Sequence, residues 1–556
     1  MKQHSSLPPS ITSDPTVAVR ADQSTGQLLI HLALLMLIGL VFIFINPRGY
    51  IGGAYDDGRY LAAATQWAME GPVLGHNHWS LRWPLVLPMA AIIRQAGLDF
   101  NALLIPGTLS YLGLGIVNYV GLRSAVNARA GFLGALGILA TPGITYWSCA
   151  LYPDILEATL WSAAFWSLWQ AAHMAQGVRQ TRWVLATGFI AGLSFCVRET
   201  SAGLIIGLVL AMLFLPRLPL RLWIMAGASA AILPVAEYAI LWLASGDPLY
   251  RLHVDLNHIA IDSEDMRGGV AKGQLAVFNT GIMERWAGAG PVRIHWTVDT
   301  WINFFANFYY GQNYVAVAVL GLWLFLKRHA TVTLLSVRGL IPALLAIGAA
   351  NTLWNLYVLA LNPNDRMFFP TTVVMAMIAA ILADRLWPLR GIRTFFAVLM
   401  GIKILSTLIV ADTLPNYRNT AAIAQRIAPP AGPVHVSWQT HANLALADPA
   451  FRRRLTVQPV PAGGGGVLVL YANLRSPLTE HLSPGRWTLV RNEATGHYPY
   501  VIALADSLLG LAGQPPLRHA DIDVRLFRHL PGPPLDHAVV AGPDGHALSP
   551  DAVPPE

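Results

Sequence analysis

The stretch Gly52–Pro72, GGAYDDGRYLAAATQWAMEGP, follows the first long apolar segment of the chain and places two aspartates and an arginine within four residues. Tyr60, Leu61, Ala64, Trp67 and Ala68 recur at helical spacing on one face, with Arg59, Gln66 and Glu70 opposite and Gly71-Pro72 as a stop. That stripe predicts a helix lying at a membrane surface rather than crossing it. Asp56 and Asp57 at its start have a plain structural role open to them, because acids favour helix N-termini. The segment before it, residues 27–46, is apolar throughout and long enough to cross a hydrocarbon core. No small-residue cleavage site follows, so it reads as a retained first span and not as a signal peptide.

Working outward, the 556 residues are 54% hydrophobic and 12% charged, against about 25% charged in soluble proteins. Eleven stretches read as spans: 27–46, 102–122, 131–148, 155–176, 183–196, 201–215, 222–243, 311–326, 339–360, 368–383 and 394–411. The expected fold is a polytopic α-helical membrane protein of about 11 transmembrane helices with outer-face interfacial helices, plus a small C-terminal soluble α/β domain. The net charge of +7 does not point to nucleic acid, since the cations are dispersed and form no basic stripe. Arg123 and Arg129, Arg179 and Arg182, Arg217 and Arg221, Lys327, Arg328 and Arg338, then Arg385, Arg390 and Arg393 fall in alternate short loops, which marks the cytoplasmic side. Cys149 and Cys196 sit in or beside apolar segments and read as buried thiols.

The expected division is a disordered cytoplasmic N-terminus at 1–25, a transmembrane domain at 26–411, an extracytoplasmic α/β domain at 412–530 and a flexible tail at 531–556. The outer loop Ser245–Tyr310 mixes Trp286, Trp296 and Trp301 with His253, Asp255 and His258, which suits the headgroup level. After Thr413 apolar runs shrink to strand length in PVHVSW, GVLVLYA and WTLVRN, with helical patterns in TAAIAQRIA and HANLALADPAF. Gly463–Gly466 precede a strand with no Gly-Lys-Ser/Thr after them, which argues against a phosphate loop.

Asp154 and Glu157, in LYPDILEATL at the outer entrance of the fourth span, form a D-x-x-E capping pattern. They fall on the same membrane face as Asp56, Asp57, Arg59, Arg82, Arg198 and Arg366, and carboxylates with arginines at a membrane surface read as a site for a phosphorylated substrate. The D-G-x-x-A-R pattern of phosphoalcohol transfer is not met by DDGRYLAAATQWAMEG.

YDDGRYLAAATQWAMEG, with LRWPLVLP following it, resembles the DE-x-RY and KPPL signatures of GT-C membrane glycosyltransferases, the group of lipid A aminoarabinose transferases and protein O-mannosyltransferases. YPDILEATLWSAAFWSL, GLSFCVRETSAGLIIGLVLAML and DRMFFPTTVVMAMIAAILA resemble later motifs in the same order, over roughly residues 27–411. The resemblance implies Asp56 as catalytic carboxylate, Asp57 as its acidic neighbour and Asp154 as a second acid. Arg82 and Arg198 stand where the family has lysines, Arg366 keeps the family's arginine, and Trp83-Pro84 stands where it often has Pro-Pro. These three arginines are the expected donor-phosphate ligands, with Arg59, Tyr60 and Glu199 in support, and Arg59 is placed at i+3 to pair with Asp56.

The resemblance further implies transfer of a sugar from a polyprenyl-phosphate donor to an envelope lipid, glycan or protein acceptor in the periplasm, lipid A or glycan modification included. Some family members use a divalent ion held by aspartates and others do not, so a metal stays open. His76 and His78, or His253, Asp255 and His258, are its candidate ligands, and isolated histidines in loops are more often hydrogen-bonded than metal-bound. Two other functions stay open: a secondary transporter or lipid flippase, disfavoured by the lack of an internal repeat, and an envelope polysaccharide ligase or polymerase.

Overall fold

The structure, a computed structural model, describes residues 25–45, 56–255, 301–302, 304–305, 309–326, 339–358, 365–412, 420–436, 444, 446–456, 467–472, 487–494, 507, 510–511, 513 and 523–529. Expectations for residues 1–24 and 531–556, for Trp286, Trp296 and His258, and for Gly463–Gly466 lie outside them.

The helices run α1 (Thr25–Ile45), α2 (Asp56–Glu70), α3 (Trp83–Ala96), α4 (Ile105–Ala125), α5 (Ala128–Leu139), α6 (Pro153–His173), α7 (Val178–Val197), α8 (Ser201–Ala211), α9 (Leu220–Ser245), α10 (Gly311–Leu326), α11 (Leu340–Leu353), α12 (Phe369–Leu386) and α13 (Arg390–Asp412). Each of the eleven expected spans is helical over most of its length. By length and apolarity, five segments suffice to cross a membrane: Thr25–Phe44, Phe100–Ala125, Leu220–Ser245, Leu340–Val358 and Arg366–Leu386. α5, α8 and α10 are shorter apolar helices. The expected continuous span at 131–148 is divided: α5 stops at Leu139, and Pro142, which cannot donate to the previous turn, opens a separate turn at Pro142–Tyr146.

α12 is the most enclosed of the five, with 89% of its span buried inside the protein. The helical turn that carries Arg366 leads directly into it, so that arginine stands at the mouth of the bundle. α7 and α9 meet through a Gly-x-x-x-Gly pair. A Cβ on Gly188 would lie 2.1 Å from the Ala226 carbonyl oxygen, and one on Gly192 would lie 2.1 Å from that of Ala230. Only glycine permits this approach.

α2 and α3 form a separate layer. Tyr60, Leu61, Ala64 and Ala68 of α2 pack on Val86 and Met89 of α3, while Arg59, Gln66 and Glu70 are exposed. The stripe read in the sequence is therefore the buried face. Gly71, at φ +88°, reverses the chain after the last turn.

Beyond the bundle, helix Thr420–Ile427 accompanies a five-stranded sheet: β1 (Val434–Val436), β2 (Leu455–Thr456), β3 (Val467–Ala472), β4 (Trp487–Ala494) and β5 (Asp523–His529). The order is β2-β1-β3-β5-β4, parallel about β1 and antiparallel about β5. β1, β3 and β4 lie on the three strand-length stretches read in the sequence, and among the described residues of HANLALADPAF the helix is Pro449–Arg452, with His441–Asn443 and Ala445 outside them. Leu446 packs against both this unit's core and the α2–α3 core.

Candidate functional site

The two aspartates that open α2 divide the work. Asp57 is fully buried and accepts the backbone N–H of Gly58 at 3.0 Å, the local role expected of an acid at a helix start. Asp56 turns outward from the helix: its Oδ2 accepts from Arg366 at 2.8 Å and its Oδ1 accepts from the Trp79 indole at 3.1 Å. Burial works to raise the Asp56 carboxyl. The Arg366 charge and hydrogen bond, then Arg82 and Trp79, outweigh it and hold the group below the usual carboxylate range.

Arg59 does not pair with Asp56 as its spacing suggested. Its guanidinium lies 3.9 Å from the centroid of the Trp79 ring, and it has no ion pair among the described residues. Arg366, arriving from far along the chain, takes the carboxylate instead, and Trp79 links Arg59 to Asp56 by holding the Arg59 cation on its face while donating its N–H to the carboxylate.

The D-x-x-E pattern is not a capping box. Tyr152, the residue before α6, gives the helix no side-chain cap, and both acids point to the turn between α7 and α8. Asp154 is paired with Arg198, and Glu157 accepts from Thr200 at 3.0 Å and Ser201 at 2.6 Å. Arg366 stacks over the Tyr152 ring at 4.4 Å and the Trp147 ring at 5.6 Å, which brings the start of α6 up to the cation that pairs with Asp56.

Arg82, just ahead of Pro84 at the start of α3, donates to the Tyr60 hydroxyl and lies 3.5 Å from Glu199. Glu199 continues to Arg251 at 2.5 Å. Arg251 is wholly buried and also pairs with Glu237 of α9 and, at 3.6 Å, with Asp255. Burial opposes the charge on Glu199, but Arg82 and Arg251 overcome it and hold that carboxyl down at about 2. Asp255 goes the other way: burial and the nearby Glu199 charge push it up to about 7. The sequence reading missed Arg251 and Glu237. Arg251 stands just after the apolar run of α9, in a stretch without periodicity, and Glu237 is a lone acid in an apolar helix, a signal that by itself marks a buried partner.

Each arginine expected to hold phosphate is thus matched to a carboxylate: Arg366 to Asp56, Arg198 to Asp154, Arg82 to Glu199. The donor set does not suit a divalent ion. Asp56 and Asp154 are taken up by guanidinium groups, and no cluster of three His, Cys, Asp or Glu among the described residues is placed to hold one. His76 instead contacts the Tyr250 hydroxyl at 3.1 Å, the His78 ring lies tilted against that of Trp79, and His253 contacts Asp247 at 2.7 Å.

Residues 84–242 match the family described as dolichyl-phosphate-mannose-protein mannosyltransferase. The match runs from α3 into α9 and contains Asp154, Arg198 and Glu199, while Asp56, Arg82 and Arg366 lie outside it. No curated protein matches the chain. Among solved structures, ArnT from Cupriavidus metallidurans bound to undecaprenyl phosphate is similar at 15% identity and TM-score 0.37, over 90% of this chain and 98% of that one. The oligosaccharyltransferase of Archaeoglobus fulgidus in its apo form is similar at 12% identity and TM-score 0.46, over 76% of this chain and 64% of that one.

Proposed function

We propose that this protein transfers a sugar from a polyprenyl-phosphate donor to an envelope glycolipid, glycan or protein acceptor, at the extracytoplasmic face of the cytoplasmic membrane, with Asp56 as general base. The observation that carries the reading is the state of Asp56: a carboxylate on a surface-lying helix, held ionised by Arg366 and oriented by Trp79, with Arg82 and Arg198 on the same side.

As the glycosidic C–O bond breaks, the leaving phosphate oxygen gains negative charge. Fixed guanidinium groups in a partly desolvated site stabilise that charge with little reorganisation. Arg82, Arg198 and Arg366 are the candidates, and Arg59, cradled on Trp79 with no carboxylate of its own among the described residues, joins them. The acceptor hydroxyl donates a hydrogen bond to Asp56, and its proton passes to that carboxylate as the new bond acidifies it. A base held below its usual range takes the proton late, when the acceptor oxygen has already begun to bond. Asp154, Asp57 and Tyr60 set positions: Asp154 fixes Arg198, Asp57 the helix start, and Tyr60 the Arg82 fork.

The arrangement of the division at residues 26–411 and 412–530 follows the same reading, the transmembrane part carrying the chemistry and the outer part resting on the α2–α3 layer through Leu446. The test is Asp56→Asn, reconstituted in proteoliposomes with polyprenyl-phosphate sugars. It should insert normally and lose nearly all sugar transfer, and turnover at the wild-type rate would refute the assignment.

A further inference from the structure

Glu199 lies between two arginines and does not share itself evenly. Its Oε1 is 2.5 Å from Arg251, while its Oε2 is 3.5 Å from Arg82. Arg251 is the closer and better anchored of the two: Glu237 on α9, the Cys196 carbonyl at 3.3 Å and Asp255 at 3.6 Å fix it, and its side chain has no exposure at all. Arg82 has a phenol hydroxyl as its hydrogen-bond partner and meets Glu199's nearer oxygen only at 3.5 Å, the long limit of a charge-assisted contact. A guanidinium loosely matched to a carboxylate keeps most of its charge for an arriving anion. One clamped in a bidentate pair must first give up that pair.

We infer that Arg251 is a positioning residue which, by drawing Glu199 onto itself, keeps the Arg82 guanidinium open to the phosphate of the donor lipid. The inference rests on reading Arg82 as a phosphate ligand. Without Arg251 the ionised Glu199 swings onto Arg82, and donor phosphate must compete with a buried ion pair. Arg251 lies in the helical turn at 250–255, so the same contact ties that turn to the site.

The experiment measures binding of undecaprenyl phosphate to the full chain in detergent, through its tryptophan fluorescence. Arg251→Met is expected to weaken binding on the order of tenfold, the scale of one charge-assisted hydrogen bond. Glu199→Gln removes the competitor and is expected to bind as tightly as wild type or more so, and Arg251→Met with Glu199→Gln is expected to return to the wild-type affinity. A merely structural Arg251 gives a loss that Glu199→Gln does not rescue, and that result overturns the inference, as does unchanged binding in Arg251→Met. Arg251→Met strands Glu237 without its cation; if it does not fold, Glu199→Gln decides alone, and tenfold weaker binding there overturns the inference. Arg82→Ala separates the two levels. If it binds the lipid phosphate like wild type, the phosphate reading of Arg82 has failed. If it binds weakly and Arg251→Met does not, only the role of Arg251 has failed.

Discussion

Arg366 donates to Asp56 at 2.8 Å across 310 positions of sequence, and this one contact joins the mouth of the most buried helix to the surface-lying helix α2. It is also the strongest of the influences that lower the Asp56 carboxyl against the pull of burial.

Removing it moves the pH dependence. In the wild type the Asp56 carboxyl is held below its ordinary range, so the ionised base persists at acid pH and the acid limb of kcat/KM lies low. In Arg366→Ala, burial acts with its largest opponent gone and the limb moves to higher pH. Residual activity at pH 6 should fall further than at pH 8. A pH–rate profile in proteoliposomes measures this, and a limb that stays in place rules out Asp56 as the group it reports.

Trp79 makes two contacts that can be separated. Trp79→Phe keeps a ring under Arg59 and deletes the N–H that Asp56 accepts at 3.1 Å. Turnover should drop about tenfold, one charge-assisted hydrogen bond, with little change in the donor KM. Trp79→Leu removes the ring as well and should also raise that KM. Equal KM in the two variants would show that the stacking of Arg59 has no part in donor binding.

The sequence and the structure agree most where periodicity governs. The stripe Tyr60, Leu61, Ala64 and Ala68 needs only a helix with one wet face, and the apolar spans need only length. Order and side of the motifs also brought Asp56, Asp154, Arg82, Arg198 and Arg366 to one region. Pairing was not legible, because it depends on long-range geometry. Asp56 has an arginine three residues away, yet its partner is Arg366; Asp154 and Glu157 have capping spacing, yet they serve the α7–α8 turn. Arg251 carried no pattern of its own, since a buried cation is recognised by the acids that three different segments bring to it.

Asp255 makes stability depend on pH in the opposite sense to Asp56. Its carboxyl is pushed up to about 7 in the folded protein, while the unfolded chain has it near the ordinary aspartate value of about 3.9. Between these values the folded state holds a proton that the unfolded state has lost, so stability declines as pH rises through that window and levels off above about pH 7. The apparent Tm in detergent should therefore be lower at pH 8 than at pH 5.5, and Asp255→Asn should flatten this difference. A variant that keeps the wild-type slope would assign it to another group.

Gly192 tests whether the site depends on how closely α7 and α9 meet. A Cβ there would lie 2.1 Å from the Ala230 carbonyl oxygen, a backbone atom that cannot rotate away, so Gly192→Val must push α7 off α9. Overpacking of this kind costs about 1–3 kcal/mol and should lower the Tm by a few degrees. α7 ends at Val197, and the next two residues are Arg198 and Glu199, the partners of Asp154 and Arg82. Displacement of the helix therefore reaches the site, and kcat should fall by more than the folded fraction does. Gly227→Ala, on α9 where a Cβ meets nothing within 4 Å, is the control and should keep both Tm and activity. Activity of Gly192→Val that simply tracks the folded fraction would mean that the Arg198–Glu199 turn is positioned by its ion pairs alone.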